Sequence, residues 1–212
     1  MNLAMPFTNM LGAIILLCAF LQIPQRRLAT MLMLSQISAL ALALLALWQA
    51  MFAHQLWLYG LAVLVLVLQC LVFPKIIRRL LNRFNVPVEL GRALPSSVAM
   101  LVGLLPVAYA VLAFMPQSKQ SFILSDGAVG LGLAVSLLGI WLIIIQSQFL
   151  AQVMGFVTFE NGLVLALVNM PGLGWVADIA FIALLGGASC LIWLGVRRYS
   201  GWPAEDSNGE FL

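Results

Sequence analysis

Long apolar runs separated by short polar or basic segments make up most of this chain. Seven runs are visible, and each approaches the ~20 residues that a membrane-spanning helix needs. The first is short, so its start is expected nearer Met5. The pattern predicts an all-α polytopic membrane protein of seven transmembrane helices, over residues 9–23, 28–51, 56–77, 95–115, 127–145, 148–170 and 173–196.

The composition agrees with this prediction and excludes other classes. Hydrophobic residues make up 64% of the chain and charged residues 8%, whereas a soluble domain is about half apolar and a quarter charged. The net charge of +3 is explained by the placement of bases near the ends of the runs, so it gives no reason to expect nucleic-acid binding. The lipid bilayer is the first expected partner.

The basic residues also predict the orientation. Arg26 and Arg27 follow the first run, five bases lie between runs three and four, and Arg197 and Arg198 follow the seventh, whereas Lys119 alone falls on the opposite side. Because cytoplasmic loops are enriched in Lys and Arg, the N-terminus is predicted outside and the C-terminus in the cytoplasm. The five bases are Lys75, Arg78, Arg79, Arg83 and Arg92.

Two carboxylates interrupt the last two runs. Glu160 lies about midway along 148–170, and Asp178 lies near the start of 173–196. At about 1.5 Å per residue, a hairpin of these helices brings the two acids within one or two helical turns of each other in depth. An ionised side chain at the bilayer centre costs at least about 2.5–3.5 kcal/mol, so such a residue is a functional candidate by default.

Burial and mutual repulsion both disfavour the charged forms of these acids. At least one of them is therefore expected to take up and release a proton near neutral pH, as a proton relay requires. The alternative is a neutral carboxyl group that donates one hydrogen bond to a neighbouring helix.

Uncharged polar residues extend this candidate proton path. Asn161 follows Glu160, and Gln152 lies eight residues before it, roughly on the same helix face. A file of water along that face from the cytoplasm to Glu160 is a plausible consequence. Gln69, five residues before Pro74 in the third run, is a further member.

No enzyme or cofactor signature is present in the sequence. It lacks HExxH, nucleophile–His–acid, phosphate-loop and dinucleotide motifs. Cys18, Cys70 and Cys190 lie in separate apolar runs, and His54 is the single histidine. We expect no metal site, no bound cofactor and no catalytic residue in this chain itself.

Two segments with an intramembrane acid and one basic end stand out together. They are Gly155-Phe156-Val157-Thr158-Phe159-Glu160-Asn161-Gly162, Val176-Ala177-Asp178-Ile179-Ala180-Phe181 and Arg197-Arg198. This combination resembles component E (HyfE) of the membrane-bound, formate-hydrogenlyase-type hydrogenases. Length and seven-span layout agree along nearly the whole chain. In that family the last three helices are similar to the NuoK subunit of complex I and the MrpC subunit of multisubunit cation/proton antiporters.

The resemblance implies both an organisation and a role. It divides the chain into a four-helix region, 1–126, a NuoK/MrpC-like three-helix unit, 127–198, and a mobile cytoplasmic tail, 199–212. It places Glu160 and Asp178 on a polar axis that couples redox chemistry to ion movement. Some family members carry lysine where this chain has Gln69, which puts active pumping through this chain in doubt.

By this resemblance the chain is a non-catalytic subunit of an oxidoreductase complex in the bacterial cytoplasmic membrane. Its expected partners are antiporter-like membrane subunits and a hydrogenase-type or complex-I-type peripheral arm. Two alternatives remain open from the residues. One is a scaffold that bridges antiporter-like subunits, and the other is an independent small-solute or ion transporter, for which no internal repeat is visible.

Overall fold

The computed structural model describes residues 4–53, 56–84, 95–114 and 127–169, together with 176, 179, 182, 183, 186 and 187. Helices dominate these ranges, because apolar sequence in a lipid environment must satisfy its backbone hydrogen bonds internally. The helices are α1 (Ala4–Gln22), α2 (Leu28–Ala53), α3 (Leu56–Val65), a π-helical segment (Leu66–Val72), α4 (Phe73–Phe84), α5 (Ser96–Phe114), α6 (Gly127–Ile145) and α7 (Phe149–Val168).

Three stretches of the described helices are long and apolar enough to cross a membrane, namely Leu28–Met51, Leu58–Arg79 and Phe149–Val168. Three shorter apolar helices accompany them: Phe7–Gln22, Ser96–Ala110 and Val129–Ile145. The helical, membrane-type architecture predicted from the apolar runs is therefore confirmed. Most of the seventh predicted run, with Asp178, lies outside the described residues.

The core lies between α1, α2, α6 and α7. Ile15 of α1, Leu42 of α2 and Leu138 of α6 are fully buried in it. The outer surface is also apolar, as lipid contact requires. On α5, for example, Leu101 and Tyr109 are both 69% exposed.

A tight helical hairpin of α6 and α7 forms the most extensive helix–helix contact among the described elements. Glycines permit it: a Cβ atom at Gly155 would lie 2.8 Å from the backbone nitrogen of Ile143, and one at Gly132 would lie 2.8 Å from the Cα atom of Ala166. Small residues let membrane helices approach backbone to backbone in this way. Gly155 and Gly162 therefore mark positions where α7 approaches α6 closely.

The third span differs from a regular α-helix. Its middle, Leu66–Val72, is π-helical, and the N–H of Phe73 at its end donates to the carbonyl of Leu68, five residues earlier. Pro74 follows directly. The sequence indicated one continuous helix here, and the change of hydrogen-bond register was not predicted.

Candidate functional site

Glu160 is the only carboxylate within the described helices, and it is completely buried. Its exposed fraction is 0%, and neither Oε1 nor Oε2 has a hydrogen-bond partner. An uncompensated charge in such a site costs several kcal/mol even after relaxation. Because no surface of Glu160 is exposed, water and small cations are the external groups that suit it in size.

Asn161 adds a second buried polar group at the same depth. It is 1% exposed, and both atoms of its side-chain amide lack partners. Successive helix residues differ by about 100° in direction, so the two side chains face different neighbours. α7 thus presents a carboxyl and an amide group, both unpaired, on adjacent faces of one helical turn.

The glycine contacts with α6 fix the direction of Glu160. Gly155 and Gly162 lie against α6, and Glu160 follows Gly155 by five residues. At about 100° per residue, its side chain leaves α7 roughly opposite the α6 contact. On the same side of α7, Gly187 lies beside the ring of Phe156, so part of the segment after α7 packs near this face.

A polar contact that sequence reasoning missed joins α1 to α7. Gln22 is fully buried, and its Oε1 atom lies 3.0 Å from the hydroxyl oxygen of Thr158, which also lies 3.0 Å from the carbonyl oxygen of Met154. The single hydroxyl proton can be donated to only one of these two acceptors. The Nε2 atom of Gln22 has no partner.

Rotating the Gln22 amide by 180° gives a second hydrogen-bond arrangement. Nε2 then donates to the Thr158 hydroxyl oxygen, and the hydroxyl donates to the Met154 carbonyl, so both donors are used. In either orientation one polar atom of Gln22 stays unpaired. The first helix therefore contributes a buried, incompletely bonded amide beside Thr158, which is two residues before Glu160 and on nearly the opposite face of α7.

Gln152 lies in the first turn of α7 and is hydrogen-bonded to the turn that precedes it, so its place in the path stays a prediction. Its Nε2 atom donates to the backbone carbonyl of Gln146 at a distance of 3.0 Å, which closes the turn between α6 and α7. Eight residues of α-helix separate it from Glu160, or about 12 Å along the axis. The amide of Gln146, 1% exposed and unpaired at both atoms, is the buried polar group of this turn.

Gln69 lies in the π-helical segment, which packs against α2. It is 4% exposed, and both of its amide atoms lack partners. The next residue, Cys70, pairs with Gln36 of α2, because the Nε2 atom of Gln36 donates to the Cys70 carbonyl at 3.3 Å. Gln69 and Glu160 are thus not hydrogen-bonded to each other, and the membership of Gln69 in the path stays a prediction.

Asp178 lies outside the described residues, so its predicted proximity to Glu160 stays a prediction. Within the described ranges, no group of three or more His, Cys, Asp or Glu side chains is placed to hold a metal ion.

Comparison with protein-family models, with curated proteins and with solved structures gives no match for this chain. The relation to hydrogenase component E therefore stays a prediction from the sequence motifs.

Proposed function

We propose that this chain is a non-catalytic integral-membrane subunit of a hydrogenase-like or complex-I-like respiratory assembly, and that it contributes Glu160 to a proton or cation path coupled to redox chemistry. The observation that carries the proposal is the burial of Glu160 with both oxygens unpaired. A helix that only needed packing would be more stable with leucine at this position.

The unpaired groups around Glu160 support a path rather than a single hydrogen bond. In the alternative scaffold role, a neutral carboxyl group donates to a neighbouring helix, and its hydroxyl would have an acceptor. Neither oxygen of Glu160 has one, and Asn161 beside it is equally unpaired. Unpaired buried groups of this kind suit exchange of protons with water or transient binding of a small cation.

In this proposal the chain crosses the bacterial cytoplasmic membrane seven times, with the N-terminus outside. Glu160 then lies near the middle of the bilayer, eleven residues into α7 or about 16 Å from its start. The partners are antiporter-like membrane subunits that continue the path, and a hydrogenase-type or complex-I-type peripheral arm that supplies the redox reaction. Asp178 lies on the outer side of Glu160.

Proton uptake by vesicles that carry the whole complex, with redox turnover followed in parallel, tests the proposal. Glu160→Gln keeps size and polarity but removes the titratable group, so the complex should assemble and turn over while proton movement per electron falls. The matched control is Glu89→Gln, the same change in the polar segment between two spans, which should leave coupling unchanged. A well-assembled Glu160→Gln complex with wild-type coupling would favour the scaffold role.

Purification separates this proposal from an independent transporter. Recovery of the chain only together with antiporter-like and iron–sulfur subunits is expected. Recovery as a stable monomer that moves an ion or solute in liposomes would contradict it.

A further inference from the structure

The π-helical segment of the third span contains a second buried polar residue, Gln69. Gln69 is more than nine-tenths buried, and neither its Oε1 nor its Nε2 atom has a partner. An unpaired buried amide group costs about 1–3 kcal/mol per polar atom in proteins. A helix facing only lipid and apolar neighbours would be more stable with leucine here.

The backbone around Gln69 also needs donors. Proline has no N–H, so Pro74 cannot serve the carbonyl four residues earlier, that of Cys70, or the carbonyl five residues earlier, that of Gln69. These are the two acceptors that α-helical and π-helical registers would assign to residue 74. Gln36 of α2 supplies the donor for the Cys70 carbonyl.

The contact between α2 and the π-helical segment is reciprocal. The thiol of Cys70 lies 3.8 Å from the carbonyl oxygen of Gln36, to which it donates a weak hydrogen bond. This pair fixes the two backbones against each other beside Gln69. The polar position is therefore built from two helices and does not depend on one exposed side chain.

The burial of Gln69 limits what can satisfy it. With 4% of its surface exposed, it offers almost no area to a partner subunit or a lipid head group. Its Oε1 atom accepts and its Nε2 atom donates hydrogen bonds, and water is the smallest molecule that can serve both atoms.

We propose that the π-helical segment binds an internal water molecule at the Gln69 amide, and that Gln36 stabilises the backbone beside it by donating to the carbonyl that Pro74 leaves without a backbone donor. This inference does not depend on whether the chain carries protons. Gln69 thus acts in local hydration of the third span.

X-ray radiolytic labelling of the full-length chain in membrane vesicles tests the site, because hydroxyl radicals formed from a bound water oxidise the side chains beside it. Wild-type protein should be labelled at Cys70 above Cys18; because Cys70 is partly exposed and Cys18 is buried, the decisive comparison is that of Cys70 labelling between variants. Gln69→Leu should abolish the labelling at Cys70. Gln49→Leu, the same change at a glutamine that pairs with Asn169, should preserve it.

Two results would overturn the proposal. One is wild-type labelling at Cys70 no greater than at Cys18, a comparison that needs no variant and is therefore independent of folding. The other is a folded Gln69→Leu protein with undiminished labelling at Cys70.

Discussion

Gly162 of α7 lies so close to Ser136 of α6 that a Cβ atom at position 162 would overlap the backbone nitrogen of Ser136. The same Cβ atom would lie 2.7 Å from the carbonyl oxygen of Gly132. Backbone atoms cannot turn away as a flexible side chain can, so any side chain at 162 must separate the two helices. The glycine is thus required by the packing that orients Glu160.

Gly162→Ala is therefore expected to destabilise the protein by about 1–3 kcal/mol, as overpacking does. Gly60→Ala is the matched control, because a Cβ atom at Gly60 meets nothing within 4 Å, and alanine favours helix by about 1 kcal/mol. Unfolding of both variants in lipid, measured against wild type, is the test. Equal stability of the two variants would contradict the close approach of α6 and α7.

The helices themselves could be predicted from the apolar runs. The run at 127–145 corresponds to α6, Gly127–Ile145, and the run at 148–170 contains α7, Phe149–Val168. This works because a spanning helix must be apolar along its whole length and its polar ends mark its limits. The seven-span topology and the orientation of the termini stay predictions.

The π-helical segment could not be predicted, since a change from α to π hydrogen bonding has no residue pattern of its own. Pro74 lacks an N–H group, but nothing in the sequence shows that Gln36 donates to the Cys70 carbonyl in its place. Glu160 could be identified from the sequence as a candidate functional residue, because a carboxylate within an apolar run is rare. The contact of Gln22 with Thr158 could not be predicted, because two uncharged polar residues far apart in sequence show no relation until the helices pack.

Because Gln36 donates to the carbonyl that Pro74 cannot serve, we predict that substituting Pro74 compensates for the loss of Gln36. Gln36→Leu removes the donor to the Cys70 carbonyl and should destabilise the protein by about 1–3 kcal/mol, the cost of an unsatisfied buried group. Pro74→Ala restores an N–H that can reach the same carbonyl, so Gln36→Leu should cost much less in that background. A double-mutant cycle on unfolding measures the difference. Additive effects would show that the two residues do not serve one acceptor.

The predicted topology can be tested at the basic segment between runs three and four. Asn85→Cys is expected to react with a membrane-impermeant thiol reagent in inverted vesicles and not in intact cells, because the positive-inside rule places this segment in the cytoplasm. Ser121→Cys, in the segment with the single base Lys119, should show the opposite pattern. Reaction of Asn85→Cys from outside only would reverse the orientation.

Asp178 and Glu160 should differ in their effect on coupling. Asp178→Asn in the whole complex is expected to reduce proton movement per electron less than Glu160→Gln does, because a carboxylate nearer the outer surface is more easily bypassed by water. The measurement is the same vesicle assay, with assembly checked for each variant. A larger loss of proton movement per electron for Asp178→Asn would show that Asp178, and not Glu160, is the main proton-carrying residue.

Substitutions of Thr158 test whether α1 takes part in the proton path. Thr158→Val keeps the branched shape but removes the hydroxyl group, so the buried amide of Gln22 loses its partner, at a cost of about 1–3 kcal/mol. Thr158→Ser keeps the hydroxyl and should be closer to wild type.

If the contact only joins α1 to α7, both variants that assemble will couple normally. If Gln22 and Thr158 exchange protons or hold water on the way to Glu160, coupling will fall in Thr158→Val and be retained in Thr158→Ser. We expect the first pattern, because Thr158 and Glu160 are two residues apart on α7 and their side chains leave the helix about 200° apart, on nearly opposite faces. Equal stability of the two variants would show that the hydroxyl group does not serve Gln22 at all.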